Sequence, residues 1–329
     1  MDDIGNEKPH LRESLAGDLK QGWDDTSRLD SRLESFSVLK HSTHEFVQWA
    51  RNGGIPLFDK PTTLIFNDLD NCARYFIVEN YQVSKRSRLV GGCSCKRHLL
   101  CAFCASRRGV RNARSYKKRV VILEQENPDL DMLFLTFTVK NGVDLVERFT
   151  HLRSAMKTIL LHRNYQSVGR GKHVTEMSKL TGGAFAYEFK RGSGLDLWHP
   201  HIHMIAHIPK GVRIDAERLK AEWLDITQDS SHINLKYCSN DNPYLEVFAY
   251  ALKFSQMTPQ DRWHAAQLLR GDRLISSFGS FRGVDLSDDV WDDVLDTDEP
   301  FTVLLYRWLP HRGYGQPQTL TNPHDQQAA

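Results

Sequence analysis

The 329-residue chain has no apolar run that approaches the roughly 20 residues needed to span a bilayer. Its N-terminus, MDDIGNEKPHLRES, lacks a basic region followed by an apolar stretch, and this excludes a secretory signal. Together the two absences predict a cytoplasmic protein with no membrane partner. Net charge is also nearly absent, at +2, so the overall charge says little about partners.

Cysteine is scarce, with six residues in the chain, yet four of them lie within one short segment: Cys93, Cys95, Cys101 and Cys104. In a cytoplasmic protein such crowding favours a metal site over disulfides. The Cys101-x-x-Cys104 half has the spacing of a zinc knuckle, whereas Cys93-x-Cys95 is less regular. We expect these four thiolates to hold one structural Zn²⁺, with His98 as a possible replacement for one of them.

The charges are unevenly distributed along the chain. Nine Lys and Arg residues and no acids lie between Lys96 and Arg119, and eight acids and no bases lie between Asp285 and Glu299. An isolated charge run is usually a solvated helix face. Here Arg107, Arg111, Arg114 and Lys118 recur at helical spacing directly after the cysteine segment. We therefore predict a basic helix, anchored by the zinc site, whose side chains contact DNA phosphates.

Strands and helices interleave along the chain, and two predicted strands are close enough to form a hairpin across RGSGLD. This pattern predicts an α+β fold, with an antiparallel or mixed sheet and helices packed on it. Composition divides the chain into four predicted regions. These are a disordered segment (1–40), a cysteine-rich region with the basic helix (41–120), the main domain (121–284), and an acidic, polar C-terminal extension (285–329).

Histidines alternate along the predicted strand WHPHIHMIAHI. His199, His201, His203 and His207 share one face, while Ile202, Met204, Ala206 and Ile208 form an apolar opposite face. A lone histidine is more often a structural residue, but neutral imidazoles two positions apart on a strand can bind one divalent metal. We predict that His201 and His203 are ligands.

A third ligand is expected on the preceding strand. Glu188 lies on the face opposite Phe185, Tyr187 and Phe189, and the predicted hairpin would bring its carboxylate beside His201. His199 and His207 remain rivals for this position.

The segment PYLEVFAYALKFS predicts a helix with Glu246, Tyr250 and Lys253 on one face. Taken alone, such a helix is ordinary. Beside a metal, the Tyr250 hydroxyl becomes a candidate nucleophile, with Lys253 supplying positive charge that favours the phenolate. Tyr237 and Tyr244 are nearby alternatives.

The chain resembles the rolling-circle plasmid replication initiators of the HUH endonuclease superfamily. Four features match in the order in which that family carries them: the cysteine segment, the strand FLTFT, the motif His201-Ile202-His203 and the tyrosine helix. The resemblance covers roughly residues 90–285. It implies a five-stranded antiparallel sheet and Mg²⁺- or Mn²⁺-dependent nicking of a plasmid origin, in a single-stranded or extruded region. It also implies a 5′-phosphotyrosine on Tyr250, a 3′-OH primer, later strand transfer, water activation by Glu246 at termination, and a host helicase and polymerase as partners.

Other functions fit parts of the same pattern. A single-tyrosine HUH transposase carries similar motifs, and excision of a transposon end would distinguish it. A conjugative relaxase is disfavoured because its tyrosine precedes the histidines. A non-catalytic, zinc-containing DNA-binding regulator would bind DNA without cutting it.

Overall fold

The computed structural model describes residues 29–55, 60–167, 169, 175–191, 196–238, 247, 257–284 and 299–320. No helix in these ranges combines the length and the apolar character that a bilayer crossing requires. The chain divides into two compact units. The first contains the described residues up to Arg111 with 257–263 and 299–320, and the second contains those from Asn112 to 247 with 264–284.

The described helices and strands alternate irregularly along the chain. In chain order they are α1 (Leu29–Trp49), α2 (Lys60–Asn71), β1 (Tyr75–Tyr81), β2 (Ser87–Gly92), α3 (Ala102–Glu126), β3 (Leu130–Thr138), α4 (Leu145–Ser167), β4 (Gly182–Arg191), β5 (Trp198–Pro209), α5 (Ala216–Thr227), β6 (Ile233–Cys238), α6 (Pro259–Leu268), β7 (Ile275–Gly279), β8 (Phe301–Leu309), β9 (Gly313–Tyr314) and β10 (Gln318–Leu320). The boundary between the two units falls inside α3.

The sheet of the second unit is antiparallel, in the order β6-β3-β5-β4-β7. The histidine strand β5 is therefore its central strand, with β3 and β4 as neighbours. Alternation along β5 gives the sheet one apolar and one polar face, and α4 and α5 pack near the apolar one. There the Trp223 indole lies 5.0 Å from the Phe137 ring and donates a hydrogen bond to Thr138 O at 2.8 Å.

Local side-chain hydrogen bonds determine where the two helices on this face begin. Asp144 Oδ1 accepts from the backbone N–H of Val146 at 2.7 Å, at the start of α4. Asp215 caps α5 by accepting from Arg218 N at 3.1 Å. These carboxylates satisfy first-turn N–H groups that have no partner within the helix. These capping hydrogen bonds therefore define the first residues of the two helices.

The first unit has its own antiparallel sheet, in the order β10-β8-β1-β2, with β9 paired to β8. Its core is aromatic. The ring of Phe36 on α1 packs against Phe76 on β1 and Phe103 on α3, with both centroid distances at 5.2 Å. The sheet, α1 and α3 therefore bury a common core in this unit.

The predicted α+β class, with antiparallel sheets, helices and a cysteine cluster, is confirmed. Two regional expectations need correction. Residues 29–40, predicted to be disordered, form the first half of α1 and bury Leu33, Phe36 and Leu39, because their apolar side chains recur at helical spacing.

The C-terminal region is the second correction. Residues 301–320, predicted to be part of a polar extension, contribute β8, β9 and β10 to the first sheet, where Leu305 and Tyr306 are buried. The expected boundaries at residues 120 and 284 stay predictions. Residues 1–28 and most of the acidic block lie outside the described residues.

Candidate functional site

Three of the predicted metal ligands meet on the polar face of the second sheet. In the β4–β5 pairing Glu188 is directly opposite His201, and His203 is two positions further along β5 on the same face. All three residues are buried, with 2–7% of their surface exposed. The hairpin therefore brings one carboxylate and two imidazoles to one point at the centre of the sheet.

The ligand atoms of this Glu/His/His group converge. Glu188 Oε1 is 2.8 Å from His201 Nε2, and Glu188 Oε2 is 3.2 Å from His203 Nε2. One ligand atom from each residue lies within 4.8 Å of the others, close enough to surround a single ion. Two nitrogens and a carboxylate oxygen form a donor set that suits several divalent metals, so the group could hold a metal ion without specifying which.

The Nδ1 atoms of the two histidines lie within hydrogen-bonding distance of protein oxygens. His201 Nδ1 is 3.3 Å from His199 O, and His203 Nδ1 is 3.1 Å from Thr136 Oγ1. When Nε2 binds a metal, Nδ1 carries the proton and can donate to these oxygens, which orients the ring. The Phe134 ring also stacks on His203, with centroids 5.5 Å apart and planes at 26°. These contacts point both Nε2 atoms towards Glu188.

Sequence reasoning missed Thr136 and Phe134 as supporting residues. Both lie on β3, and Thr136 pairs directly with His203 across the β3–β5 ladder. The strand was visible in the sequence, but its pairing with β5 spans more than sixty positions of chain, as the contact between Thr136 and His203 shows. Only the register of the folded sheet identifies which β3 side chains face the histidines.

His199 and His207, the rivals for the third position, lie outside the Glu/His/His group. His199 Nδ1 is 2.6 Å from Asn141 Oδ1, and burial together with nearby His201 lowers the pKa of His199 to about 4. His207 is fully buried at the other end of the polar face, 3.7 Å from Glu124 and packed on Phe281. Burial lowers the pKa of His207 to about 4, so it is neutral at neutral pH.

The predicted catalytic residues Glu246, Tyr250 and Lys253 lie outside the described residues. The predicted basic residues all lie on α3. Arg107, Arg111 and Lys118 are exposed, and Arg114 is half-exposed. Arg107 and Arg111 lie in the part of α3 that belongs to the first unit. Arg114 and Lys118 lie in the part that belongs to the second unit.

A second ligand group lies in the first unit. It consists of Cys72, Cys95, Cys101 and Cys104, whose sulfur atoms all lie within 4.8 Å of one another. Cys104 Sγ is 3.5 Å from Cys72 Sγ and 3.6 Å from Cys95 Sγ, and Cys101 Sγ is 3.5 Å from Cys72 Sγ. We call this the four-cysteine group. Its donor set is that of a tetrahedral thiolate site for a soft or borderline metal ion.

The membership of this group corrects the prediction, which named Cys93 in place of Cys72. The Cys93 thiol points away and donates to Asn71 O at 2.8 Å, whereas Cys72 Sγ accepts from Cys95 N at 3.3 Å. Cys72 follows the last residue of α2, and the bond from Ala73 N to Cys93 O joins this point to the end of β2. The strand β2 ends at Gly92, so the period-two alternation that would place Cys93 and Cys95 on one side does not extend to them.

Hydrogen bonds among the four sulfurs shift the pKa values of Cys104 and Cys101 in opposite directions. Hydrogen bonds from Cys101, Cys72 and Cys95 hold the pKa of Cys104 well below its usual range. The same contact with Cys104 raises the pKa of Cys101. His98, the predicted substitute ligand, instead faces Arg108, whose Nη1 is 2.8 Å from His98 Nε2. One thiolate therefore accepts from neighbouring thiols, an arrangement ready to lose further protons to a metal.

Comparison with known proteins finds no match to the chain among family models, curated proteins or solved structures. The evidence for both ligand groups is therefore their own geometry and chemistry.

Proposed function

We propose that this protein is a metal-dependent DNA-nicking and strand-transfer enzyme that initiates rolling-circle replication of a plasmid. The observation that supports this most is the convergence of Glu188, His201 and His203 on the central strands of an antiparallel sheet. The Nδ1 atoms of His201 and His203 lie near His199 O and Thr136 Oγ1, and metal-binding imidazoles make contacts of this kind. The tyrosine helix expected downstream supplies a candidate nucleophile.

In this proposal Glu188, His201 and His203 hold Mg²⁺ or Mn²⁺. A bound ion of this kind would polarise the scissile phosphate and stabilise the charge that develops on it. The carboxylate provides the hard oxygen ligand that these cations prefer, and the two imidazoles favour Mn²⁺ over Mg²⁺. The Phe134 and Thr136 side chains keep His203 oriented throughout.

Tyr250 is the proposed nucleophile. Its oxygen forms a bond to phosphorus while the bond from phosphorus to the 3′ oxygen breaks, giving a 5′-phosphotyrosine and a free 3′-OH. The phenolic proton leaves for solvent or a base, and the 3′ oxygen takes up a proton. Lys253 favours the phenolate by its charge. The phosphodiester energy stays in the covalent link, so the strands can be rejoined without ATP. After one round, Glu246 activates water for a final cleavage that releases the protein.

The proposed partners follow from this chemistry. Arg107, Arg111, Arg114 and Lys118 on α3 would neutralise phosphates of the origin DNA. The four-cysteine group would hold a structural Zn²⁺ at the start of that helix, since Cys101 and Cys104 flank its first residues. The free 3′-OH would be extended by a host polymerase behind a host helicase in the cytoplasm.

A nicking assay tests the proposal. The substrate is a supercoiled plasmid that carries the protein's own gene with its flanking DNA, incubated with protein and Mn²⁺. We expect open circles with protein attached to the 5′ end of the nick, which a denaturing gel detects as a labelled adduct. Tyr250→Phe should abolish the adduct and keep DNA binding, because only the hydroxyl is lost.

The variants separate the alternatives. An adduct that persists in Tyr250→Phe would assign the nucleophile to another residue, such as Tyr237 or Tyr244. Binding without nicking, in parent and variants alike, would support a DNA-binding regulator instead. Excision of a transposon end in place of origin nicking would support a transposase.

A further inference from the structure

The side chain of Lys40 is buried beside the four-cysteine group. It is 1% exposed on α1, and its Nζ donates to two backbone carbonyls, Asp70 O at 2.5 Å and Leu69 O at 3.5 Å. Its third described contact is the Trp308 ring, whose centroid is 5.2 Å away. Neutral carbonyls and a ring do not offset a full positive charge. An ammonium ion in such surroundings costs several kcal/mol unless a negative charge lies close by.

Lys40 and the cysteines are connected through two short paths. The carbonyls that Lys40 binds belong to the end of α2, immediately before Cys72. One turn after Lys40 on α1, Thr43 Oγ1 lies 4.0 Å from Cys101 Sγ and accepts from Ala102 N at 3.1 Å. The helix α1 thus contacts the segment that carries Cys72 through Lys40, and the segment that carries Cys101 through Thr43.

The charges near Lys40 agree with this placement. Burial lowers the pKa of Lys40, while negative charge on Asp70, Cys72 and Cys101 opposes that effect. The Asp70 carboxylate is 30% exposed and is shared with His44 and Arg51, at 3.3 and 3.5 Å. Asp70 has the largest opposing effect, but it is partly exposed and already paired, so the buried anions that remain for Lys40 are the cysteine sulfurs.

A divalent metal bound by four thiolates carries a net charge of −2, because four negative ligands surround two positive charges. A buried ammonium beside the group would offset part of this charge, which the protein interior disfavours.

We infer that the four-cysteine group binds a divalent metal as a fully deprotonated tetrathiolate, and that Lys40 is a buried counter-charge for it. Each thiol that ligates the ion releases its proton to solvent, and the Lys40 ammonium stabilises the anion that results. The inference rests on the proposed zinc site and is independent of the nicking reaction. It assigns Lys40 a role in metal affinity rather than in packing.

Lys40→Met tests the role, because methionine keeps most of the length and removes the charge. Zinc affinity is measured on the full-length protein by competition with a chromophoric chelator under reducing conditions. We expect Lys40→Met to bind Zn²⁺ roughly 10- to 100-fold more weakly, the typical loss when a residue that supports the ligands of a metal site is removed. Lys40→Arg keeps the charge and should stay within about threefold of the parent by the same reasoning. Lys157→Met, an exposed lysine on α4, is the matched control and should have no effect.

Stability of the zinc-stripped protein gives a readout of opposite sign. Without the metal the group carries less negative charge and Lys40 is poorly compensated, so zinc-stripped Lys40→Met should unfold at an equal or higher temperature than the stripped parent. A packing role predicts the reverse. The inference is overturned if Lys40→Met binds zinc as tightly as the parent, if Lys40→Arg binds as weakly as Lys40→Met, or if the stripped Lys40→Met is less stable. A parent protein that holds no zinc would instead refute the zinc site itself.

Discussion

Replacing Cys72 with serine should remove most of the zinc affinity, whereas replacing Cys93 should not. The two residues are a matched pair, since Cys72 directly follows α2, Cys93 directly follows β2, and the bond from Ala73 N to Cys93 O ties the two ends together. Cys72 Sγ lies 3.5 Å from the sulfurs of Cys101 and Cys104, whereas the Cys93 thiol donates to Asn71 O. The structure therefore makes opposite predictions for two neighbouring thiols.

The magnitude follows from the number of ligands. Structural zinc sites in small peptides bind with about 10–16 kcal/mol, so four equivalent thiolates contribute about 3 kcal/mol each. Loss of one should weaken zinc binding about 100-fold, since about 1.4 kcal/mol corresponds to a factor of ten. Cys93→Ser leaves all four thiolates in place and should change the affinity by less than about threefold on the same scale.

Chelator competition on the zinc-loaded, reduced proteins measures both variants side by side. Cys104→Ser, which removes another member of the group, should weaken binding as much as Cys72→Ser. Cys238 lies on β6 in the second unit, so Cys238→Ser should bind zinc as tightly as the parent. Loss of zinc from Cys93→Ser, together with retention by Cys72→Ser, would refute the geometry and restore the set expected from sequence spacing.

Three further outcomes are expected. Glu188→Gln keeps the shape of the side chain but removes its charge, so nicking with Mg²⁺ should be lost; activity equal to the parent would exclude Glu188 as a ligand. Thr136→Val removes the oxygen 3.1 Å from His203 Nδ1 and should raise the Mn²⁺ concentration for half-maximal nicking by about 10- to 100-fold, and an unchanged Mn²⁺ requirement would contradict that role. His207 has a pKa of about 4 in the fold and about 6.5 when unfolded, so the unfolded chain binds its proton first as pH falls; stability present above pH 6.5 should decline towards pH 4 by about 3 kcal/mol. Urea unfolding of His207→Leu between these values should show a smaller decline, and identical slopes would refute the assignment.

Much of the Glu/His/His group was predictable because its geometry is local. Alternation along β5 assigns His201 and His203 to one face, and antiparallel pairing of the consecutive strands β4 and β5 makes Glu188 the partner of His201. The α1 helix was also detectable, since Leu33, Phe36 and Leu39 recur at helical spacing within the polar segment. The polar composition and low aromatic content of the N-terminal region led to a prediction of disorder, although the helical spacing of these apolar residues was present.

The amino-acid sequence by itself determined the elements whose partners lie nearby: the amphipathic strands, the hairpin of β4 and β5, and the cysteine pair at the start of α3. Period-two alternation and short connections are sufficient for these, because a slip of one residue would expose the apolar face. The tertiary structure alone decided that β8 pairs with β1 and that Thr136 supports His203. It also decided that Cys72 replaces Cys93 and that Lys40 binds backbone carbonyls at the end of α2, just before Cys72. Each of these joins segments far apart in the chain, and their register depends on how whole sheets and helices bury a common core.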